Sequence, residues 1–164
     1  MDINESFFIT ISGMIDEVIT GYSDLLELYK LKKQALVKAD KDMLSIVDEK
    51  ILTHVKVLQN INKSREIFCK KYDLEAIKLS SLIEMSIKNY PEMQEKFEKQ
   101  KVKINELANE IALVNNTNVE LIEHSLKMSD KMLDIIVSAT QTDNYDKHGR
   151  NTDMGGISSI VEDA

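Results

Sequence analysis

The side chains that could carry acid–base, nucleophilic or metal chemistry in this chain are three histidines, one cysteine and many carboxylates. His54, His124 and His148 are far apart, no two share an i,i+4 face, and none has a cysteine at ligand spacing. That pattern argues against zinc. His54 falls in an apolar stripe and reads as a core histidine with a partner. Cys69 stands near a helix end with no base and orienting group beside it, so packing is its simplest role. Arg65 and Glu66 suit pairing between helices better than an active site. The "MGGISS" segment lacks the lysine and the preceding strand that a phosphate loop needs. Glutamates are plentiful, but a helix surface always offers carboxylates, and without a concave site they solubilise. No enzyme activity, cofactor or metal is expected.

Composition narrows the class further. The 164 residues carry 21 basic and 28 acidic side chains, a formal net charge of −7. A phosphate footprint wants the opposite surplus, so nucleic acid is not an expected partner. One cysteine excludes an internal disulfide and fits a reducing cytoplasm. No window approaches eighteen continuous apolar residues, so no membrane insertion is expected. The opening "MDINESFFIT" is acidic and does not read as a secretory signal.

With one proline and five glycines, three of them Gly149, Gly155 and Gly156, little interrupts helices before the C-terminal segment. The expected fold is all-α: an elongated antiparallel helical hairpin or bundle of long coiled-coil-like helices with a flexible C-terminal tail. The helical domain spans 1–139 and the tail 140–164. Ile11, Val18 and Leu25, with Ile15, Tyr22, Tyr29 and Leu36, make one apolar stripe and predict a helix over about 6–38. Gly21 within it either admits a close neighbour or has no role. Asp40 suits the N-cap of a second helix over about 40–72, striped by Leu44, Val47, Ile51, His54, Leu58, Ile61, Arg65 and Phe68. The turn between these two is very short, or the helices are nearly continuous. Asp73 suits the cap of a shorter helix over about 74–88, with Leu74, Ile77, Leu82 and Ile83 apolar. Pro91 and Glu92 suit the first turn of a last helix over about 91–138.

That last helix changes character along its length. Its main stripe is Phe97, Gln100, Ile104, Leu107, Ile111, Val114, Asn118, Leu121, Ser125, Met128, Met132 and Ile135. After Asn118 a second stripe joins it: Val119, Ile122, Leu126, Leu133 and Ile136. One neighbour covers the first half, whereas the second half is apolar over more of its circumference than one neighbour covers. Two readings stand: an apolar groove for another protein's amphipathic helix, with adaptable methionines, or the buried end of the bundle or a homodimer seam. Asn118 falls in the stripe and Asn115 lies three residues earlier. A buried asparagine in a helical seam fixes register at a cost in stability. A pair that clamps the carbonyls of a docked chain is the alternative.

The segment "NNTNVELIEHSLKMSDKMLDII", followed by "YDKHG", resembles the C-terminal signature of the FlgN family, the flagellar export chaperones for hook-associated (hook–filament junction) proteins. The pattern falls on Asn115, Asn118, Leu121, Ile122, Ser125, Leu126, Tyr145 and Gly149. The long first helix, Asp40 and the arginine Arg65 are similar too, so the likeness covers nearly the whole chain. Departures are Ile122 where the family has a second leucine, and a tail beyond Gly149. The resemblance implies a cytoplasmic type III export chaperone. It would hold the C-terminal helical region of FlgK- or FlgL-like proteins, prevent their premature assembly, and deliver them to the export gate. The implied binding residues are Asn115, Asn118, Leu121, Ile122, Ser125, Leu126, Met128, Met132, Leu133 and Ile136. Tyr145 and Gly149 would face the cytoplasmic domain of the gate, with Ile157, Ile160 and Val161 as an open alternative. A homodimer is compatible with the stripes. The rival readings are a structural, self-associating coiled coil and a secretion chaperone for a different cargo.

Overall fold

The computed structural model describes residues 3–74, 78–87 and 90–143. The fold is all-α, and the described residues form four helices in the order α1 (Glu5–Lys38), α2 (Lys41–Lys70), α3 (Leu79–Ser86) and α4 (Pro91–Asp143). The chain divides into two units, Met1–Leu121 and Ile122–Ala164.

In the first unit, α1 and α2 make an antiparallel hairpin. Asn4 caps α1, its side-chain oxygen accepting from the Phe7 N–H at 3.2 Å. At the other end Ala39 takes the left-handed conformation (φ 53°) and stops the helix. Its N–H bonds back to the Leu36 carbonyl, and the Asp40 N–H to that of Ala35. These bonds satisfy carbonyls that a helix end would otherwise leave open. Asp40 then caps α2, its carboxylate accepting from the Met43 N–H at 3.0 Å. The turn is thus two residues, each closing one helix end. Lys32 and Asp48 pair across the hairpin at 2.7 Å.

Gly21 lies at a close approach of α1 and α2. A Cβ there would stand 2.5 Å from Cδ2 of Leu58, so the glycine admits the close neighbour. His54 lies alongside, Nε2 3.1 Å from the Gly21 carbonyl oxygen and 3.9 Å from Asp24. A carbonyl only accepts, so that nitrogen carries the proton. Leu25, Val47, Ile51 and Leu58 form the core of this half, with Tyr22, Tyr29 and Ile111 packed on it.

A second core joins all four helices around Phe7, Phe8, Ile11, Ile15, Cys69, Leu82 and Phe97. Phe7 stacks on Phe68 (centroids 5.6 Å) and meets Tyr72 edge-on at 4.7 Å, while Phe8 lies 5.0 Å from Tyr90. Cys69 is buried here as a packing residue. α3 is shorter than the 74–88 expected. Asp73 takes φ 56° beyond the end of α2 instead of capping α3, and Lys78 stands at the α3 N-cap without a side-chain bond. Ile77 lies outside the described residues. Pro91 opens α4 with Glu92 in its first turn, and the helix runs past residue 138 to Asp143.

Candidate functional site

α4 meets α1 through the first part of the predicted stripe, and its polar members there, Gln100 and Asn118, are as buried as Phe97 and Leu107. Phe97, Gln100, Leu107 and Asn118 are all buried. Gln100 donates through Nε2 to the Ser12 carbonyl (3.0 Å), the Ser12 hydroxyl (3.1 Å) and the Asp16 carboxylate (2.6 Å). Lys96 reaches the other oxygen of Asp16 at 3.1 Å. Further along, Asn118 Nδ2 donates to the Tyr29 carbonyl at 3.1 Å. Since Gln100 meets Ser12 and Asn118 meets Tyr29, α4 runs parallel to α1 and antiparallel to α2. Each amide also leaves its oxygen buried without a hydrogen-bond partner among the described residues, Gln100 Oε1 and Asn118 Oδ1.

The asparagines therefore separate. Asn118 is 1% exposed and faces α1. Asn115 is half-buried and Asn116 exposed. Thr117 bonds back to the Leu113 carbonyl at 3.1 Å within its own helix, so the polar run does not break α4. Leu121 is the last half-buried member of the stripe; every residue from Ile122 to Ser138 is exposed.

That second stretch has no burial to account for its composition. Leu126, Met132, Leu133 and Ile135 are 59–67% exposed, and Ile122, Met128, Ile136 and Val137 are exposed beside them. At about 100° per residue these positions, with Ser125 and Ser129, cover an arc of roughly 200°. The opposite arc carries Glu123, Lys127, Asp130, Lys131 and Asp134. The sequence-predicted residues from Ile122 to Ile136 thus share one broad face. It is a convex helix surface and not a groove. Scattered single apolar residues need no explanation, whereas these form a contiguous set on four turns of one helix.

The family model for FlgN proteins matches residues 7–153. The chain belongs to the FlgN family. The match takes in both the buried stripe and the exposed face of this FlgN-family chain. Neither the curated proteins nor the solved structures give a match to it.

Of the other side chains with chemical potential, His54 is held in the hairpin and His124 is exposed. Among the described residues no group of three or more histidine, cysteine, aspartate and glutamate side chains could hold a metal ion. No described helix is long and apolar enough to cross a membrane. His148, Tyr145, Gly149 and the Ile157–Val161 segment lie outside the described residues. Phe7 and Phe8 were missed in the sequence as core anchors. The signal was there, since Phe7 lies four residues before Ile11 and Phe8 seven before Ile15.

Proposed function

We propose that this FlgN-family chain is a cytoplasmic flagellar export chaperone. It holds the C-terminal helical region of hook-associated proteins of the FlgK and FlgL type and delivers them to the export gate. The observation that carries the reading is the exposed apolar face from Ile122 to Ile136. Large side chains cover more than half of that helix's circumference. A cargo helix with its own apolar stripe would pack alongside, each well-buried large side chain contributing roughly 1.5–3 kcal/mol before ordering costs. Unbranched Met128 and Met132 adapt to more than one cargo surface.

Asn115 and Asn118 take different parts in this reading. Asn118 sets the register of α4 on α1, and Asn115, half-buried at the changeover, is the one of the pair placed to reach a docked backbone. Tyr145 and Gly149 contact the gate, an assignment resting on the family resemblance alone.

Co-purification from the bacterium of origin, followed by identification of the bound chain, tests the proposal. A hook–filament junction protein is the expected cargo. A homodimer sealed through 122–136 with no cargo would overturn it in favour of a self-associating coiled coil. A different secreted protein would keep the mechanism and replace the substrate.

A further inference from the structure

We infer that the outer face of the α1–α2 hairpin is a second docking surface, one that takes a basic amphipathic helix of a partner protein. Two adjoining grooves run along this face and share Asp24 and His54. The larger, about 670 Å³, lies between Asp24–Leu31 on α1 and Ile46–His54 on α2. The smaller, about 440 Å³, continues back to Gly13 on α1 and on to Ile61 on α2. From Gly13 to Leu31 at about 1.5 Å per residue the trough is roughly 27 Å long, enough for about five turns of a docked helix. At Gly13 nothing lies within 4 Å of where a Cβ would be, so that end is open.

The trough is lined by apolar side chains, of which Leu28 also packs on the Leu25–Leu58 core. Leu31, Ile46 and Val57 are exposed. Leu28 and Ile61 are half-buried at its base. The rim is acidic: Glu17, Asp24 and Glu27 on α1 and Glu49 on α2 stand against one cation, Lys50. Glu27 pairs with the exposed Lys30 on its own helix at 2.7 Å, a pairing a docking cation can replace. Apolar floor and anionic rim together select an occupant with a leucine-type stripe flanked by lysine or arginine. An anionic lipid surface is repelled by the same rim, and so is the identical face of a second copy. All of these residues lie within the Met1–Leu121 unit, so the inference stands apart from the face beyond Ile122.

Isothermal titration of the full chain against two synthetic helical peptides of about eighteen residues tests this. One carries leucines at i, i+3, i+4 and i+7 with lysines between; in the other, glutamates replace the lysines. The lysine peptide is expected to bind and the glutamate peptide not. Glu27→Lys with Glu49→Lys should weaken binding by about tenfold or more, and so should Leu31→Ser with Ile46→Ser. All four positions are exposed, so the variants keep the fold. Glu92→Lys with Glu120→Lys, and separately Leu126→Glu, should leave the affinity within about twofold. Absence of binding overturns the inference. Equal loss in the Glu92/Glu120 control reduces it to general attraction to an acidic protein. Loss on Leu126→Glu places the peptide on α4 instead. A peptide-free dimer that Ile46→Ser dissolves makes the occupant a second copy and overturns it likewise.

Discussion

Asn118 and Tyr29 lock α4 to α1: the side-chain amide of one donates to the main-chain carbonyl of the other at 3.1 Å, with the second amide atom, Oδ1, buried beside it. Gln100 does the same to Ser12 about five turns earlier on both helices. Two polar bonds at matched intervals define one register. A seam of leucines alone would tolerate a slip by a heptad, whereas a slip here would bury two unpaired amides, at roughly 1–3 kcal/mol each.

Asn118→Asp separates this role from simple packing. A carboxylate in place of the donor would face the Tyr29 carbonyl with like partial charge and without water. The variant should lose about 2–4 kcal/mol at neutral pH in urea denaturation. Burial raises the introduced carboxyl's pKa above its unfolded value. The deficit is therefore full above the folded pKa and shrinks as pH falls, because the neutral acid can donate to Tyr29 again. Asn118→Leu removes both the bond and the orphan oxygen and should stay within about 1 kcal/mol of the parent. Equal losses for the two variants would refute the register role.

The close approach at Gly21 gives a second prediction, best read as a double-mutant cycle. Glycine in a helix interior costs about 1 kcal/mol against alanine. Yet the added Cβ would overlap the buried Leu58 side chain, and overpacking costs roughly 1–3 kcal/mol. Gly21→Ala should therefore fail to stabilise the parent. In a Leu58→Ala background it should stabilise by about 1 kcal/mol, leaving a coupling above roughly 0.5 kcal/mol. Additive effects would mean that the hairpin opens freely at this point.

An electrostatic prediction concerns Glu95 and Lys99, one turn apart on α4. The Lys99 ammonium donates to Glu95 at 2.6 Å, and that bond, reinforced by its charge, holds the Glu95 carboxyl below the usual glutamate range. A depressed folded pKa means the contribution is present above the unfolded value and is lost as pH falls through the folded one. Both side chains are exposed, so salt screens the effect. Side-chain carbon NMR should show Glu95 titrating low, and Lys99→Ala should return it to the ordinary range. An unchanged midpoint in the variant would show that the pair does not form in solution.

The periodicity of the chain revealed which residues share a face but not which faces are covered. The spacing of Ile11, Val18 and Leu25 located one buried side of α1, and the spacing from Phe97 to Asn118 that of α4. The same spacing continues through Met128, Met132 and Ile135, which are exposed. Burial depends on a neighbour, and no local pattern encodes whether one is there. Gly21 was ambiguous for the same reason, since its role depends on Leu58 across the hairpin. α3 was expected to start too early because Asp73, a good cap by type, instead takes positive φ after α2. The register role of Asn118 was legible from its place in the stripe; that its partner is the Tyr29 carbonyl was not.

The exposed face yields the prediction on which the proposed function turns. Leu126 is 60% exposed, so Leu126→Glu removes little intramolecular packing and should leave thermal stability within about 0.5 kcal/mol. Bound to cargo, the same position would be desolvated. The variant would then lose roughly 1.5–3 kcal/mol of burial and also strand a carboxylate against apolar surface. Titration with the C-terminal helical region of a junction protein should show affinity falling by at least about tenfold, with circular dichroism unchanged. Leu113→Glu, equally exposed on α4 but before the changeover, serves as the control and should bind normally. Tyr145→Ala should also bind cargo normally while exporting it poorly, if capture and delivery are divided between helix and tail. Unaltered affinity in Leu126→Glu would remove the face beyond Ile122 as the cargo site. Loss of binding in Tyr145→Ala would instead join capture and delivery in one surface.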